Sequence, residues 1–209
     1  MATRVHPTAL VEAGVVIGDA TSVWDNVHIR GPGTRIGSQC IVGEKSYIAY
    51  GVDIGDRVKI NAFVYICNAV TIEDGVMISA GATFTNDRYP RATTSDLQAL
   101  RTSEPDEHTV ATLVREGCTI GARATIGPGV ELGRFAMIGM ASVVTRDVPG
   151  FHLVVGPPAR TAAVVCRCGE PFARATGGVV LDVDDVGCAV CGLRYRVVTG
   201  VVTELTPPS

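Results

Sequence analysis

A chain of 209 residues with a formal net charge of −3 carries no basic footprint for nucleic acid. Arg4, His6, Glu12 and Asp19 leave no N-terminal apolar run long enough for a secretory signal, and no later stretch reaches membrane-spanning length without glycine or charge. A cytoplasmic protein without nucleic-acid or membrane partners is predicted, and its 46% hydrophobic but 5% aromatic content, with 24 glycines, suits a narrow core of small and aliphatic side chains.

Aliphatic residues recur at every sixth position from the start: Val5, Val11, Ile17, Val23 and Ile29. After a slip of one residue at Gly31, Pro32 and Gly33 they continue as Ile36, Val42, Ile48, Ile54, Ile60, Ile66, Ile72, Ile78 and Phe84. Ile, Val, Leu and Phe make up 58 of the 209 residues, so an unbroken run from Ile36 to Phe84 arises by chance roughly once in 10⁵ trials per register. A period of six is neither that of a helix nor that of a strand, and it marks a repeat architecture. Glycine often follows the aliphatic, as at Gly37, Gly43 and Gly55, and a small or β-branched residue sits four places after it, as at Cys40, Ser46 and Val52. One large and one small inward position per hexad describe a short strand and a corner, with Gly, Asn and Asp accepting the turn conformations between them. Three such sides close a triangular coil, and the coils stack as parallel strands about 4.8 Å apart. The prediction is an all-β parallel helix over residues 1–160.

The hexad stops at Asn86 and resumes at Val114, Ile120, Ile126, Leu132, Ile138 and Val144. The excursion over about 86–113 is long for a compact fold, and loops of that length are usually functional or disordered. A functional loop is favoured, because a β-helix builds a cleft most readily where a loop leaves one coil and lies against its neighbour. Gly156, Pro157 and Pro158, within the run from Val154 to Arg160, cannot continue a regular coil, so the chain is predicted to peel away there.

Composition changes in the remaining segment, 161–209. Cys166 and Cys168 before Gly169, and Cys188 and Cys191 before Gly192, form two tight cysteine turns. Four thiolates on paired knuckles suit one structural, tetrahedral Zn(II) in a zinc-ribbon-like domain. Disulfides or reduced, buried thiols are the alternatives, and a cytoplasmic chain favours the metal. The valine-rich flanks have too little core to fold unaided, which is where a structural metal helps most. Cys40 and Cys118 take the small inward position and are packing residues, whereas Cys67 is a candidate to face outward.

The hexads, the runs Val23 to His28, Val42 to Glu44, Val58 to Asn61, Val70 to Asp74, Phe84 to Arg91, Ile120 to Ala122 and Val144 to Pro149, and the ending Val154 to Arg160 give the chain a family likeness. Over residues 5–160 it resembles the hexapeptide-repeat acyltransferases, and the block Thr85 to Arg91 resembles the branch that N-acetylates nucleotide-linked 3-amino sugars with acetyl-CoA. The resemblance implies a left-handed coil, an exception to the usual crossover hand. It also implies a homotrimer, acetyl-CoA as cosubstrate and a nucleotide-linked amino sugar as partner. Substrate contacts implied in this way are Glu44, Lys59, Asn61, Asp87, Arg88, Tyr89 and Arg91. Acetyl-CoA would run in a groove between subunits, along Gly121, Ala122, Gly139 and Ala141, with Arg146 and Arg160 near its phosphates. Those small residues also suit the coil itself, and the arginines also suit a capping or loop-pinning role.

Amide formation needs a neutral amine beside the thioester, support for the developing oxyanion and a destination for the amine proton. None of His6, His28, His108 and His152 stands in an obvious His–acid motif. His28 is a catalytic candidate because it lies among residues that match the sugar branch. Asn86 is the stronger one: its amide can accept from the amine and orient the lone pair, while the departing thiolate takes the proton, so catalysis is mostly proximity. Its other reading is a turn residue that tolerates left-handed φ. A carbonic-anhydrase-like lyase would need three imidazoles on one metal, which four scattered histidines do not readily supply, and a noncatalytic scaffold would leave the patterned loop unexplained.

Overall fold

The computed structural model describes residues 2–208; Met1 and Ser209, the outer ends of the two predicted segments, lie outside the described residues. The six-residue period produces short strands, mostly of two residues, laid in three parallel faces. The first face stacks Arg4–Val5, Ser22–Val23, Ile41–Val42, Lys59–Ile60, Met77–Ile78, Thr119–Ile120 and Met137–Ile138. The second stacks Leu10–Val11, His28–Ile29, Tyr47–Ile48, Tyr65–Ile66, Thr83–Phe84, Thr125–Ile126 and Val143–Val144. The third stacks Val16–Ile17, Arg35–Ile36, Asp53–Ile54, Val70–Ile72, Thr112–Val114 and Glu131–Leu132. Ile41, Lys59 and Met77 face one another in turn, a step of 18 residues, so three hexads make one coil.

Alternation along each short strand fills the prism. Ile48, Ile66, Ile78, Phe84, Ile120 and Ile126 are fully buried, and the residue before each points outward. Each such side chain contributes about 1.5–3 kcal/mol by leaving water. After the first coil, the corner between the first and second faces passes through one left-handed residue per coil, among them Asn26 at φ 54°, Phe63 at 59° and Ala141 at 55°. Glycine just before that point lets successive coils touch: a Cβ on Gly121 would lie 2.6 Å from the Met140 nitrogen.

The next corner turns through left-handed Gly51, Ala69 and Gly129. On the fifth coil the corresponding place is Asp87, and there the chain leaves the helix. The excursion is an irregular antiparallel hairpin, with bridges Asp87 to Thr109 and Thr93 to Leu100. Val110 N–H donates to the Asn86 carbonyl at 2.9 Å, and Arg88 N–H donates to that of His108 at 3.1 Å. Thr112–Val114 then rejoins the third face against Val70–Ile72.

At the far end His152–Val155 adds in parallel to Met137–Ile138, and Arg160–Val165 turns back antiparallel upon it. Pro171–Thr176 and Val179–Val180 extend the same sheet, so the first face runs through eleven strands and joins residues on both sides of Arg160. The Gly156 to Pro158 segment thus reverses the chain and keeps it on the sheet. Val183–Gly187, Arg194–Val198 and Val201–Glu204 form a separate three-stranded antiparallel sheet. Among the described residues, no helix is long and apolar enough to cross a membrane.

Candidate active site

Stacking in steps of 18 turns isolated sequence positions into columns, and the second face carries an aromatic one. His28, Tyr47 and Tyr65 occupy successive coils in register. The His28 and Tyr47 rings meet edge-on at 5.4 Å, and those of Tyr47 and Tyr65 stack at 5.3 Å with 7° between planes. Although its neighbours in sequence show no acid, His28 Nε2 lies 2.8 Å from Glu12 Oε1, one coil back. Glu12 also accepts from Gly31 N–H at 3.1 Å and lies 3.4 Å from Arg30 Nε. The hydrogen bond from His28, and then that from Gly31, hold the Glu12 carboxyl below the ordinary range. His28 therefore does stand in a His–acid pair, one that the fold creates.

At the edge of the same face, Tyr50, Asn68 and Asn86 form a second column. Arg30 lies over the Tyr50 ring at 5.4 Å, and Asn68 Nδ2 donates to Tyr50 Oη at 3.0 Å. Asn86 Nδ2 donates to Asn68 Oδ1 and, at 3.4 Å, to the Asn68 carbonyl. With its nitrogen committed, Asn86 offers Oδ1 as an acceptor. Asn86 also stays out of the left-handed region, so the turn-residue reading does not account for it. Cys67, predicted as a candidate to face outward, takes an outward position on this face yet is buried, and burial pushes its thiol up to about 11. It is a packing thiol rather than a nucleophile.

The hairpin is tied to itself above this column. Asp87 Oδ1 accepts from Tyr89 N–H at 2.7 Å, the Tyr89 ring meets His108 edge-on at 5.4 Å, and Arg101 pairs with Asp106 at 2.7 Å. The His108 N–H, and then Arg101, hold the Asp106 carboxyl below its usual range. A small cavity of about 110 Å³ opens between Asn68, Asn86, Asp87, Arg91 and Arg101. Arg88 points elsewhere and lines, with Pro128, Gly129 and Arg146, a recess of about 490 Å³.

The other candidates are spread along the prism. Glu44 and Asn61 share a recess of about 380 Å³ with Trp24 at the corner between the first and second faces. Lys59 projects from the first face and is exposed. Gly121, Ala122, Gly139 and Ala141 lie along that same corner on later coils, where Gly121 and Gly139 are already required by close coil contact. Arg160 is exposed and donates to the Ala159 carbonyl at 2.8 Å. The structure thus brings Asn86, Asp87 and Arg91 together, and Arg88 with Arg146. His28 and Asn86 stand three coils apart, about 14 Å of rise.

In the tail, the Sγ atoms of Cys166, Cys168, Cys188 and Cys191 all lie within 4.8 Å of one another. Cys166 and Cys191 approach to 3.3 Å and Cys168 and Cys188 to 3.6 Å, and all seven cysteines are free thiols. A tetrahedron with Zn–S bonds of ~2.3 Å has edges of ~3.8 Å, so the four sulfurs fit a metal ion. Gly169 and Gly192 N–H donate to the carbonyls of Cys166 and Cys188 at 2.8 and 3.0 Å and close the two knuckles. Tyr195 Oη lies 3.0 Å from Cys166 Sγ. His152 is buried, with Nδ1 3.1 Å from Thr161 Oγ1 and Nε2 2.8 Å from the Gly200 carbonyl, a structural pin between helix and tail.

A model of the bacterial transferase hexapeptide (six repeats) matches residues 51–86, and one of the hexapeptide repeat of succinyl-transferase matches 33–68 and 115–146. The hexapeptide repeats that these two models describe run through residues 33–86 and 115–146. A dTDP-3-amino-3,6-dideoxy-alpha-D-galactopyranose 3-N-acetyltransferase from Aneurinibacillus thermoaerophilus is 37% identical over 94 residues, which are 45% of this chain and 45% of that one. The bifunctional protein GlmU of Heliobacterium modesticaldum is 27% identical over 183 residues, 73% of this chain and 36% of that one. The chain therefore spans less than half the length of these curated relatives. A hexapeptide-repeat-containing acetyltransferase from Vibrio cholerae superposes with a TM-score of 0.51 at 23% identity, over 72% of this chain and 73% of that one. The shared fold is the left-handed parallel β-helix.

Sequence reasoning missed Glu12, Tyr47, Tyr50, Tyr65 and Asn68. The signal was present: Tyr50, Asn68 and Asn86 recur at intervals of 18, three hexads, and become one column once the hexads are grouped in threes.

Proposed function

We propose that the protein transfers the acetyl group of acetyl-CoA to the amine of a nucleotide-linked amino sugar, of the 3-amino class. Asn86 carries this reading: its nitrogen is held by Asn68, its Oδ1 is left as an acceptor, and it stands where the hairpin overhangs the second face. Similarity over 94 residues to a sugar 3-N-acetyltransferase supports it. The neutral amine attacks the thioester carbonyl, forming the C–N bond. Collapse of the tetrahedral oxyanion breaks C–S, and the departing thiolate takes the proton released from nitrogen. Asn86 Oδ1 accepts an amine N–H and aims the lone pair, so the protein supplies mainly orientation.

In this account Asp87, Tyr89 and Arg91 contact the sugar nucleotide, with Glu44, Lys59 and Asn61 as further contacts reached from the neighbouring corner. Acetyl-CoA lies along Gly121, Ala122, Gly139 and Ala141, with Arg146, Arg160 and the adjacent Arg88 offering charge to phosphate. Cys166, Cys168, Cys188 and Cys191 hold one structural zinc, which cross-links the tail. The reaction takes place in the cytoplasm. Thiol release across a panel of dTDP- and UDP-linked 3-amino and 4-amino sugars tests the assignment: turnover is expected with a 3-amino member, and no release with any member would overturn it.

The assembly is a homotrimer, three prisms with parallel axes. Trp24, Ile41, Phe63, Tyr65 and Met140 are large apolar residues left exposed on the first two faces and the corner between them, the surface that neighbours would cover. Light scattering should give about three times the chain mass of 21.8 kDa. A monodisperse monomer with full transfer activity would contradict this.

A further inference from the structure

We propose that Asn68, backed by Tyr50, is a positioning residue that fixes which end of the Asn86 amide faces the amine. The inference rests on the proposed role of Asn86 and goes beyond it, because it concerns what selects the orientation of that side chain. An amide presents an acceptor at one end and a donor at the other, and only the acceptor end can receive an amine N–H. A column of two amides and a phenol could run in either direction, since Asn68 can donate to Tyr50 or accept from it. The Asn68 backbone carbonyl breaks that symmetry. It accepts only, and it lies 3.4 Å from Asn86 Nδ2, on the same nitrogen that meets Asn68 Oδ1. A flipped Asn86 would set its oxygen against a carbonyl that cannot donate, so Nδ2 points down the column and Oδ1 points out.

Asn68 is in turn oriented from below. Its Nδ2 donates to Tyr50 Oη at 3.0 Å, and the Tyr50 ring lies under Arg30, which is held 3.4 Å from Glu12. Three side chains on successive coils thus hold one another at the spacing of the stacked strands. Within the relay, Asn86 alone is assigned contact with the reacting amine, although Asn68 also lines the small cavity beside it. Loss of Asn68 should therefore leave binding of acetyl-CoA intact and lower the rate of the chemical step.

Kinetics of three variants that remain folded test this. Asn68→Ala should lower kcat about tenfold with little change in KM for acetyl-CoA, the loss typical of one well-placed neutral hydrogen bond. Asn68→Asp keeps an acceptor for Asn86 Nδ2, and the Tyr50 hydroxyl can turn to donate to it, so this variant should recover most of the rate. Tyr50→Phe should lie between wild type and Asn68→Ala. An unchanged kcat in Asn68→Ala, or an Asn68→Asp variant no better than alanine, overturns the relay. A readout independent of turnover separates this inference from the proposed reaction. With ¹⁵N-labelled asparagine, the Asn86 NH₂ pair should be shifted and slow to exchange in the wild type and revert to free-amide behaviour in Asn68→Ala. Free-amide behaviour already in the wild type overturns the relay, whereas absence of turnover with every amine, with the amide signals as expected, overturns only the reaction.

Discussion

Replacing Asn86 with alanine is expected to lower kcat/KM by about 30- to 1,000-fold, equivalent to about 2–4 kcal/mol of transition-state stabilisation. The lost group is an oriented acceptor whose other end is committed to Asn68. His28→Ala is the informative comparison. His28 is paired with Glu12 at 2.8 Å, as a general base could be, yet it stands three coils from Asn86. The proximity mechanism expects it to affect sugar-nucleotide binding more than the chemical step. Steady-state kinetics on variants shown to keep the wild-type oligomeric state decide the matter. Near-wild-type turnover in Asn86→Ala, together with abolished turnover in His28→Ala at unchanged CoA affinity, would replace proximity with a conventional base.

The second large effect is expected from the tail. Elemental analysis under reducing conditions should find about one zinc per chain, and Cys188→Ser should release it. Apparent binding energies of structural zinc in small peptides are about 10–16 kcal/mol, more than the tail's modest cores can replace. Those cores are Phe151, Cys166, Cys188 and Tyr195 in one cluster and Val164, Val180 and Val197 in another. Tyr195 joins the cysteine cluster to the helix, stacking on Phe172 at 4.6 Å and meeting Phe151 at 5.7 Å while touching Cys166. The side chain of Glu204, only 5% exposed, is clamped by Arg134 at 2.6 Å and Arg167 at 2.5 Å. The hexad core, by contrast, reaches Val154 and contains none of the tail. Cys188→Ser or a chelator should therefore add an early transition to the melting curve, with proteolysis near Arg194 and Arg196, and leave the main transition of the helix in place. An absence of zinc with an unaltered melt would contradict the metal assignment.

The strength of the repeat explains what could be read in advance. A side chain that must point inward every sixth residue leaves few options, so the coil, the buried Cys40 and Cys118, and the loop departure at Asn86 were all visible in the chain. Contacts between coils were harder to see, because they join residues far apart in sequence. Glu12 meets His28, and Asn68 meets Asn86, only through stacking. Gly121 and Gly139 show the converse difficulty: small residues that look like room for a ligand are already demanded by the next coil. Proline and glycine at Gly156 to Pro158 announce that the coil stops, but not that the strand after them folds back on the same sheet. Which neighbour a strand finds depends on an edge left open elsewhere, and local composition does not encode it.

Product analysis tests the central claim most directly. Wild-type protein incubated with acetyl-CoA and a dTDP-linked 3-amino-3,6-dideoxyhexose should yield one acetyl group on the sugar's 3-amino nitrogen for each free CoA, identified by mass spectrometry and NMR. CoA release without an N-acetylated sugar, or no acetylated product from any amino-sugar nucleotide at saturating acetyl-CoA, would contradict the account.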